Sequence, residues 1–515
     1  MANPESIEEL RRRKAAALAL GGEEKLAARR VAGRWNVRER IEHLLDAGSF
    51  REVGILNHSD VPGMEEKTPA DGKVCGTGRI DGRTVVVLAD DHTVLAGSGG
   101  RVGGRKYQKL SALAKEKGYP IVNLGEGGGA RVPDIMGSDG LSTMTIGRAA
   151  GLRQRAVPMV ATIMGECFGA PSWFAALADF VVQVKGSCMA VSGPRVLEMA
   201  TGEKTSNEEL GGWQVHAEIT GQIDAVAEDE AQCFEIVRAF LSYLPSHKDA
   251  LPPAIAGDPE AEARQEKLLT ILPEKNNRTY DMHDILRTIV DHERLFEVKA
   301  DFDRSVITCL ARLDGHTVGF IANNPKHLAG ASGPDGCAKC CAFIALCDSF
   351  HIPLVFLHDT PGFFVGKAAE HKGMPGKIIN FIEALCLSTV PKISIIIRRT
   401  YGMAFGNMCG GNMGADFEYA WPTADMSFTA PEVAANIMYA KKIQQTEDPE
   451  AARKAAVAEM QAISTPWRAA GLGLLDDVIE PTETRRVLIE SLALARGKSG
   501  GKSERLLAAW PTTFS

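Results

Sequence analysis

Short apolar runs and helical stretches alternate along this chain, and that alternation indicates its fold class. Residues 84–89 and 317–322 are rich in β-branched side chains and read as strands. Residues 120–124 and 353–357 are short apolar runs bounded by turn residues, the pattern of strands buried on both faces. A third strand follows in each half, within 157–164 and 390–397. Between the first and second strands, residues 106–117 and 337–350 have helical periodicity. Strands alternating with helices imply layered α/β units. Ahead of them, residues 5–30 form a charged helical lead-in that pauses at Gly21 and Gly22. Asn36 with Glu39 then has the spacing of a capping box, opening a helix that runs to Leu45.

The whole pattern occurs twice. Leu95, Ala96 and Gly97 recur as Leu328, Ala329 and Gly330, Pro120 as Pro353, Pro158 as Pro391 and Gly169 as Gly402, each 233 positions later. After a four-residue insertion the offset becomes 237, taking Ala178, Asp179 and Phe180 to Ala415, Asp416 and Phe417, and Pro194 to Pro431. Asp46, Glu52 and Val53 likewise return as Asp291, Glu297 and Val298. A repeat of this length in a 515-residue chain implies two tandem domains, 1–248 and 249–515, joined by a proline-rich, charged stretch at 251–277. Residues 497–502 read as a mobile tail and 504–510 as a short helix.

Composition narrows the function classes. A formal net charge of −7 argues against a general nucleic-acid binder. Apolar runs such as 393–397 are too short to span a bilayer, and residues 1–10 lack the apolar core of a signal peptide, so no membrane association is expected. Eleven cysteines without a regular framework fit a reduced, cytoplasmic protein. Cys337, Cys340, Cys341 and Cys347 fall on one face of a helix and are expected to be buried and structural, with no metal.

Candidate chemistry gathers at two turns, 165–170 (GECFGA) and 399–404 (RTYGMA), each leading from a buried strand toward a helix start. The first N–H groups of a helix lack internal partners, and glycine lets a ligand approach them, so such a turn can hold an oxyanion. The bland alternative, a glycine that merely permits a tight turn, is weakened by its recurrence at equivalent positions. Residues 125–131 (GEGGGAR), matched by 359–364 (DTPGFF), follow the second strand; their glycines can line a groove and Arg131 can meet a phosphate or a carboxylate. No Gly-x-Ser-x-Gly occurs at a strand end, and no Walker-type or His-Glu-x-x-His motif is present. Glu126 and Glu166 remain candidates for a hydratase-type acid/base pair.

Residues 33–40 (GRWNVRER), 45–52 (LDAGSFRE), 128–131 (GGAR), 208–212 (EELGG) with His216, Pro361-Gly362-Phe363 and 419–424 (YAWPTA) resemble the carboxyltransferase β subunits of biotin-dependent acyl-CoA carboxylases, the propionyl-CoA and methylcrotonyl-CoA type. The similarity covers about residues 8–490. It implies two crotonase-like domains, the first on the acyl-CoA side and the second on the biotin side. The implied reaction moves CO2 from carboxybiotin to the α or vinylogous carbon of a short or branched acyl-CoA through an enolate, with biotin N1′ as the base. By position, Gly169 and Ala170 would hold the enolate oxygen, and Met403 and Ala404 the ureido oxygen of biotin. Gly128, Gly129, Ala130, Arg131, Phe168, Trp173, Gly402 and Gly406 would line the substrate sites.

This chain departs from the family at Glu166, Phe168, Ala170, Pro171 and Met403, and Gly406 replaces a common aspartate. Phe168 and Trp173 are expected to reshape the acyl pocket while Gly406 opens another wall. Glu166 and Arg399, at equivalent repeat positions, are candidates for a pair across the domains. No Ala-Met-Lys-Met biotinylation motif occurs, so biotin would arrive on a separate biotin carboxylase or carrier subunit. The family forms homohexamers, with sites between the first domain of one subunit and the second of another. The same residues are compatible with the reverse half-reaction in a decarboxylase or transcarboxylase, and with a noncatalytic scaffold.

Overall fold

The structure, a computed structural model, describes residues 3–138, 140, 155–275, 278–411, 413–496 and 507. The tail readings at 497–502 and 504–510 lie outside the described residues, Leu507 excepted. The described chain divides into two compact units at Leu251 and Pro252. The capping box forms as its sequence dictates: the Asn36 side chain accepts from the backbone at Glu39, and Glu39 reaches back to the Asn36 N–H, starting the helix Val37–Leu44. The lead-in is two helices, Pro4–Leu18 and Glu23–Val31, broken at the glycines as expected.

Unit one contains β1 (Arg51–Val53), β2 (Lys73–Ile80), β3 (Arg83–Asp90), β4 (Ile121–Gly125), β5 (Met159–Ile163), β6 (Glu166–Phe168), β7 (Phe180–Val184), β8 (Cys188–Ala190) and β9 (Ala225–Ala227). Its main sheet runs β1-β2-β3-β4-β5-β7-β9, with β6 and β8 paired apart from it. Unit two contains β10 (Phe296–Glu297), β11 (Val306–Leu313), β12 (His316–Asn323), β13 (Leu354–Thr360), β14 (Lys392–Tyr401), β15 (Phe417–Ala420), β16 (Asp425–Ser427) and β17 (Asp477–Val478). Its sheet runs β10-β11-β12-β13-β14-β15-β17, with β16 beside β14. In both, the first three strands are antiparallel and the rest parallel.

Pairing register is duplicated along with the sequence. Val86 faces Ile121 as Gly319 faces Leu354, Ile121 faces Met159 as Leu354 faces Lys392, and Val160 faces Phe180 as Ile393 faces Phe417. A one-residue slip would turn every core side chain outward, so matched registers reflect matched cores. Val86, Leu88 and Ile163 fill the first core; Phe320, Val355, Ile393 and Ile395 fill the second. The helix Pro334–Ser349 is buried on nearly every side, not along one face as its cysteines suggested, and all four of those cysteines are buried.

Polar cross-links are duplicated too. Lys106 donates to the carbonyls of Ala70 and Lys73, and Lys339 to those of Phe302 and Val306. Burial pushes Lys339 down to about 8. In unit two, His283 lies between the carboxylates of Glu297 (3.0 Å) and Asp281 (2.6 Å), and its hydrogen bond to Glu297 leads in raising its pKa. Stability from this group is therefore complete below the ordinary histidine range and lost as pH rises through the raised folded value. Denaturant unfolding at pH 6 and pH 8 should show a loss on the order of 1 kcal/mol, allowing for solvent screening, that His283→Gln abolishes. An unchanged pH slope in the variant would contradict the assignment.

Candidate active site

Both glycine turns adopt one backbone conformation. β6 ends at Phe168, Gly169 takes φ 62°, ψ −128°, and the helix Ala170–Ala176 begins. β14 ends at Tyr401, Gly402 takes φ 61°, ψ −148°, and the helix Met403–Asn407 begins. Side-chain-bearing residues avoid this region, and a Cβ at Gly402 would also sit 3.0 Å from the Phe428 carbonyl oxygen. Helices of seven and five residues contribute only a small dipole, so any anion stabilisation comes chiefly from individual N–H groups.

The donors differ in part from the sequence expectation. The Gly169 N–H already donates to the Val191 carbonyl (3.0 Å), and the Gly402 N–H to that of Ser427 (3.0 Å). Gly169 therefore shapes the turn rather than offering a donor. Among the described residues, the amides of Ala170, Met403 and Ala404 have no hydrogen-bond partner. Repeat one carries Pro171 where repeat two has Ala404, so Ala170 and Met403 are the donors common to both halves.

A second set of amides comes from the loop after the second parallel strand. Gly99 bridges to Ala130, and Ser332 to Phe363, at matched positions. Gly128 N–H donates to Ala96, Gly99 N–H to Gly129, and Arg131 N–H to Gly99, which leaves the Gly129 and Ala130 amides unpartnered. A Cβ built on Gly169 would lie 3.7 Å from Gly129 Cα, so loop and turn adjoin. Ala130 is exposed and Ala170 half-buried, so this cleft opens to solvent. In unit two, Phe364 N–H donates to Ser332 and leaves the half-buried Phe363 amide unpartnered. The sequence matches the loops of Ala130 and Phe363, and their 233-residue offset is the signal that makes Phe363 the counterpart of Ala130.

Several expected contacts are corrected. Of the two partners expected for Arg131 the structure shows the carboxylate: it is 2% exposed, with Nε 2.6 Å from Asp134 and a further pairing to Asp71, so it pins the loop and cannot reach a phosphate. The Phe168 ring is 9% exposed and packs against Gly193, at the start of the helix Pro194–Thr201, where a Cβ would come within 2.9 Å of it. Trp173 is exposed beside the first turn. Gly406 opens no wall: a Cβ there would meet the Met403 methyl at 2.9 Å. Glu166 accepts from Asn207 (3.0 Å) and Arg399 pairs with Asp359 (2.8 Å), each within its own unit.

No acid/base dyad forms from Glu126 and Glu166. Burial opposes ionisation of Glu126, but Arg40 and Arg29 prevail and hold it below the usual carboxylate range. It thus carries no transferable proton near neutral pH. His358 is pushed down to about 3 by burial, with its ring nitrogens at Ser394 (2.6 Å) and Thr400 (3.1 Å). His216 is lowered by burial as well; its Nε2 donates to the Met189 carbonyl (2.7 Å) and braces β8 behind the first turn. The geometry offers fixed backbone donors for a developing oxyanion, which need no reorganisation during reaction. Among the described residues, no helix is long and apolar enough to cross a membrane, and no cluster of three His, Cys, Asp or Glu is placed to hold a metal.

Residues 28–506 match the carboxyl transferase domain family. The propionyl-CoA carboxylase carboxyltransferase subunit of Haloferax mediterranei is 36% identical over 98% of this chain and 99% of its own length. The methylmalonyl-CoA decarboxylase subunit alpha of Veillonella parvula is also 36% identical, over 97% and 98%. Among solved structures, the transcarboxylase 12S hexamer with methylmalonyl-coenzyme A and methylmalonic acid bound superposes with a TM-score of 0.91 at 34% identity, covering 98% of both chains. The tandem crotonase-like architecture implied by the resemblance is the fold of this chain.

Proposed function

The chain belongs to the carboxyl transferase family, and we propose that each of its two units supplies one amide cleft for one half of a carboxyl transfer. It is an acyl-CoA carboxyltransferase, the β-type subunit of a biotin-dependent carboxylase. The observation that carries the division of labour is the matched pair of glycine turns, each followed by an unpartnered helix-start amide at Ala170 or Met403.

In unit one, the Ala170 amide with Gly129 or Ala130 receives the thioester oxygen as it gains charge, stabilising the enolate. In unit two, the amides of Met403 and Ala404, with that of Phe363 from the loop equivalent to Ala130's, receive the ureido oxygen of biotin. A neutral ureido oxygen only accepts hydrogen bonds, so a cleft made of donors with no Cβ at Gly402 fits it. Biotin, carried on a separate protein, supplies the CO2 and the basic nitrogen, which is consistent with Glu126, His216 and His358 all being engaged elsewhere. Each donor lowers the barrier by about 3 kcal/mol when aimed at the developing charge.

A short or branched acyl-CoA is the proposed substrate, and a cytoplasmic location fits eleven free cysteines. Homohexamer formation is supported by exposed apolar positions that recur between the halves: Val191 (74%) with Phe428 (89%), and Val196 (55%) with Val433 (46%). Exposed apolar side chains at matched positions are suited to burial against further copies of the chain. The reverse direction uses the same clefts, and the decarboxylase relative makes it the second reading.

Mixing the full chain with carboxylated CoA thioesters and free biotin tests the proposal. Biotin-dependent loss of the carboxylate from at least one short or branched thioester is expected. Absence of biotin-dependent turnover across the panel would favour a scaffold role instead.

A further inference from the structure

Glu126 and Asp359 stand 233 positions apart, each where the chain leaves its second parallel strand and enters the loop bearing an unpartnered amide four residues on, at Ala130 or Phe363. Both are buried, at 1% and 0% exposure, so neither contacts a ligand. Asp359 receives two guanidinium groups and Glu126 three, the third from Arg34 at 3.7 Å. Arg29 reaches Glu126 with both terminal nitrogens (3.1 and 2.8 Å) and Arg40 pairs with it from a second helix. Arg398 and Arg399 reach opposite oxygens of Asp359, each through Nε at 2.8 Å.

The cations arise differently in the two halves, from the helices Glu23–Val31 and Val37–Leu44 in one and from β14 in the other. What the halves share is the anion and its reach. The Glu126 carboxylate occupies the space over Gly165, where a Cβ would come within 2.3 Å of Oε1, at the entry to the first turn. Arg398 and Arg399 occupy the equivalent of Gly165 and Glu166, so Asp359 grips the entry to the second turn. Asp359 therefore ties its amide loop to the strand that feeds the second turn, whereas Glu126 packs against the entry to the first turn and is linked to it through Arg40, which also reaches the Met164 carbonyl (3.5 Å). Buried ion pairs add little stability over well-packed apolar groups, whereas they fix geometry.

We propose that Glu126 and Asp359 are positioning residues that set the two clefts separately, Glu126 governing the acyl-CoA side and Asp359 the biotin side. The proposal rests on the functional reading above. Full-length Glu126→Gln and Asp359→Asn are compared with wild type in biotin-dependent decarboxylation of a carboxylated CoA thioester, varying each substrate in turn. Arg29→Gln and Arg399→Gln weaken the same ties more gently should either carboxylate variant fold poorly, and thermal unfolding reports the fold of all four.

Glu126→Gln or Arg29→Gln is expected to raise the KM for the CoA thioester about tenfold and leave that for biotin within about twofold. Asp359→Asn or Arg399→Gln should do the converse. Equal effects on both substrates, or effects on neither in folded variants, would overturn the proposal. A wild-type chain with no biotin-dependent turnover would instead defeat the functional reading on which it stands.

Discussion

Met403→Pro is expected to lower kcat by about 10²–10³-fold while Met403→Ala stays within about threefold of wild type. The two variants separate backbone from side chain. Proline removes the N–H that we assign to the ureido oxygen, whereas alanine keeps it and removes only the thioether that covers Gly406. The first helical position is where proline is best tolerated, because its N–H is unpaired in any case and its φ is already helical. Gly402, the preceding residue, has an extended ψ of −148° and no Cβ to meet the proline ring. Ala170→Pro makes the same deletion in the other half and should produce a loss of the same order. Thermal unfolding should place all three variants within a few degrees of wild type. Near-normal turnover by Met403→Pro and Ala170→Pro would show that these amides are not the donors.

Glu418→Gln should raise stability at alkaline pH. Glu418 lies in β15 at 7% exposure, where repeat one has Val181. Its Oε2 accepts from Gly411 N–H (3.0 Å), and its Oε1 is buried without a partner. Burial is the main cause that pushes its pKa up to about 8; the Gly411 hydrogen bond opposes this and Asp476 adds to it. A folded-state value above the unfolded one means full stability at low pH, lost as pH rises through about 8. Between pH 6 and pH 9 wild type should lose roughly 2–3 kcal/mol through this group. Glutamine keeps the acceptor for Gly411 and removes the titrating charge, so the variant should lack that slope and exceed wild type at pH 9. Parallel pH profiles in urea unfolding would contradict this reading.

The strands and their duplication were legible in the sequence because buried parallel strands announce themselves as short apolar runs, and a fixed offset needs no structure to find. The offset carried further than the hydrophobic pattern, since it also aligned Lys106 with Lys339 and Ala130 with Phe363. Long-range polar partners were hidden. Glu126 meets arginines 97 and 86 positions away, and Arg131 meets Asp71 across 60. Loss of the Gly169 donor was equally invisible, because its acceptor at Val191 depends on β6 pairing with β8. Met403 over Gly406 was within reach, as residues three apart on a helix share a face.

A crystal structure of the chain with a nonhydrolysable acyl-CoA thioester analogue would show which donors hold the thioester oxygen. The oxygen that mimics the thioester carbonyl is expected about 3 Å from the Ala170 amide nitrogen, with Gly129 or Ala130 as the second donor. An analogue bound with that oxygen on side chains, and the Ala170 amide turned away from it, would contradict the account.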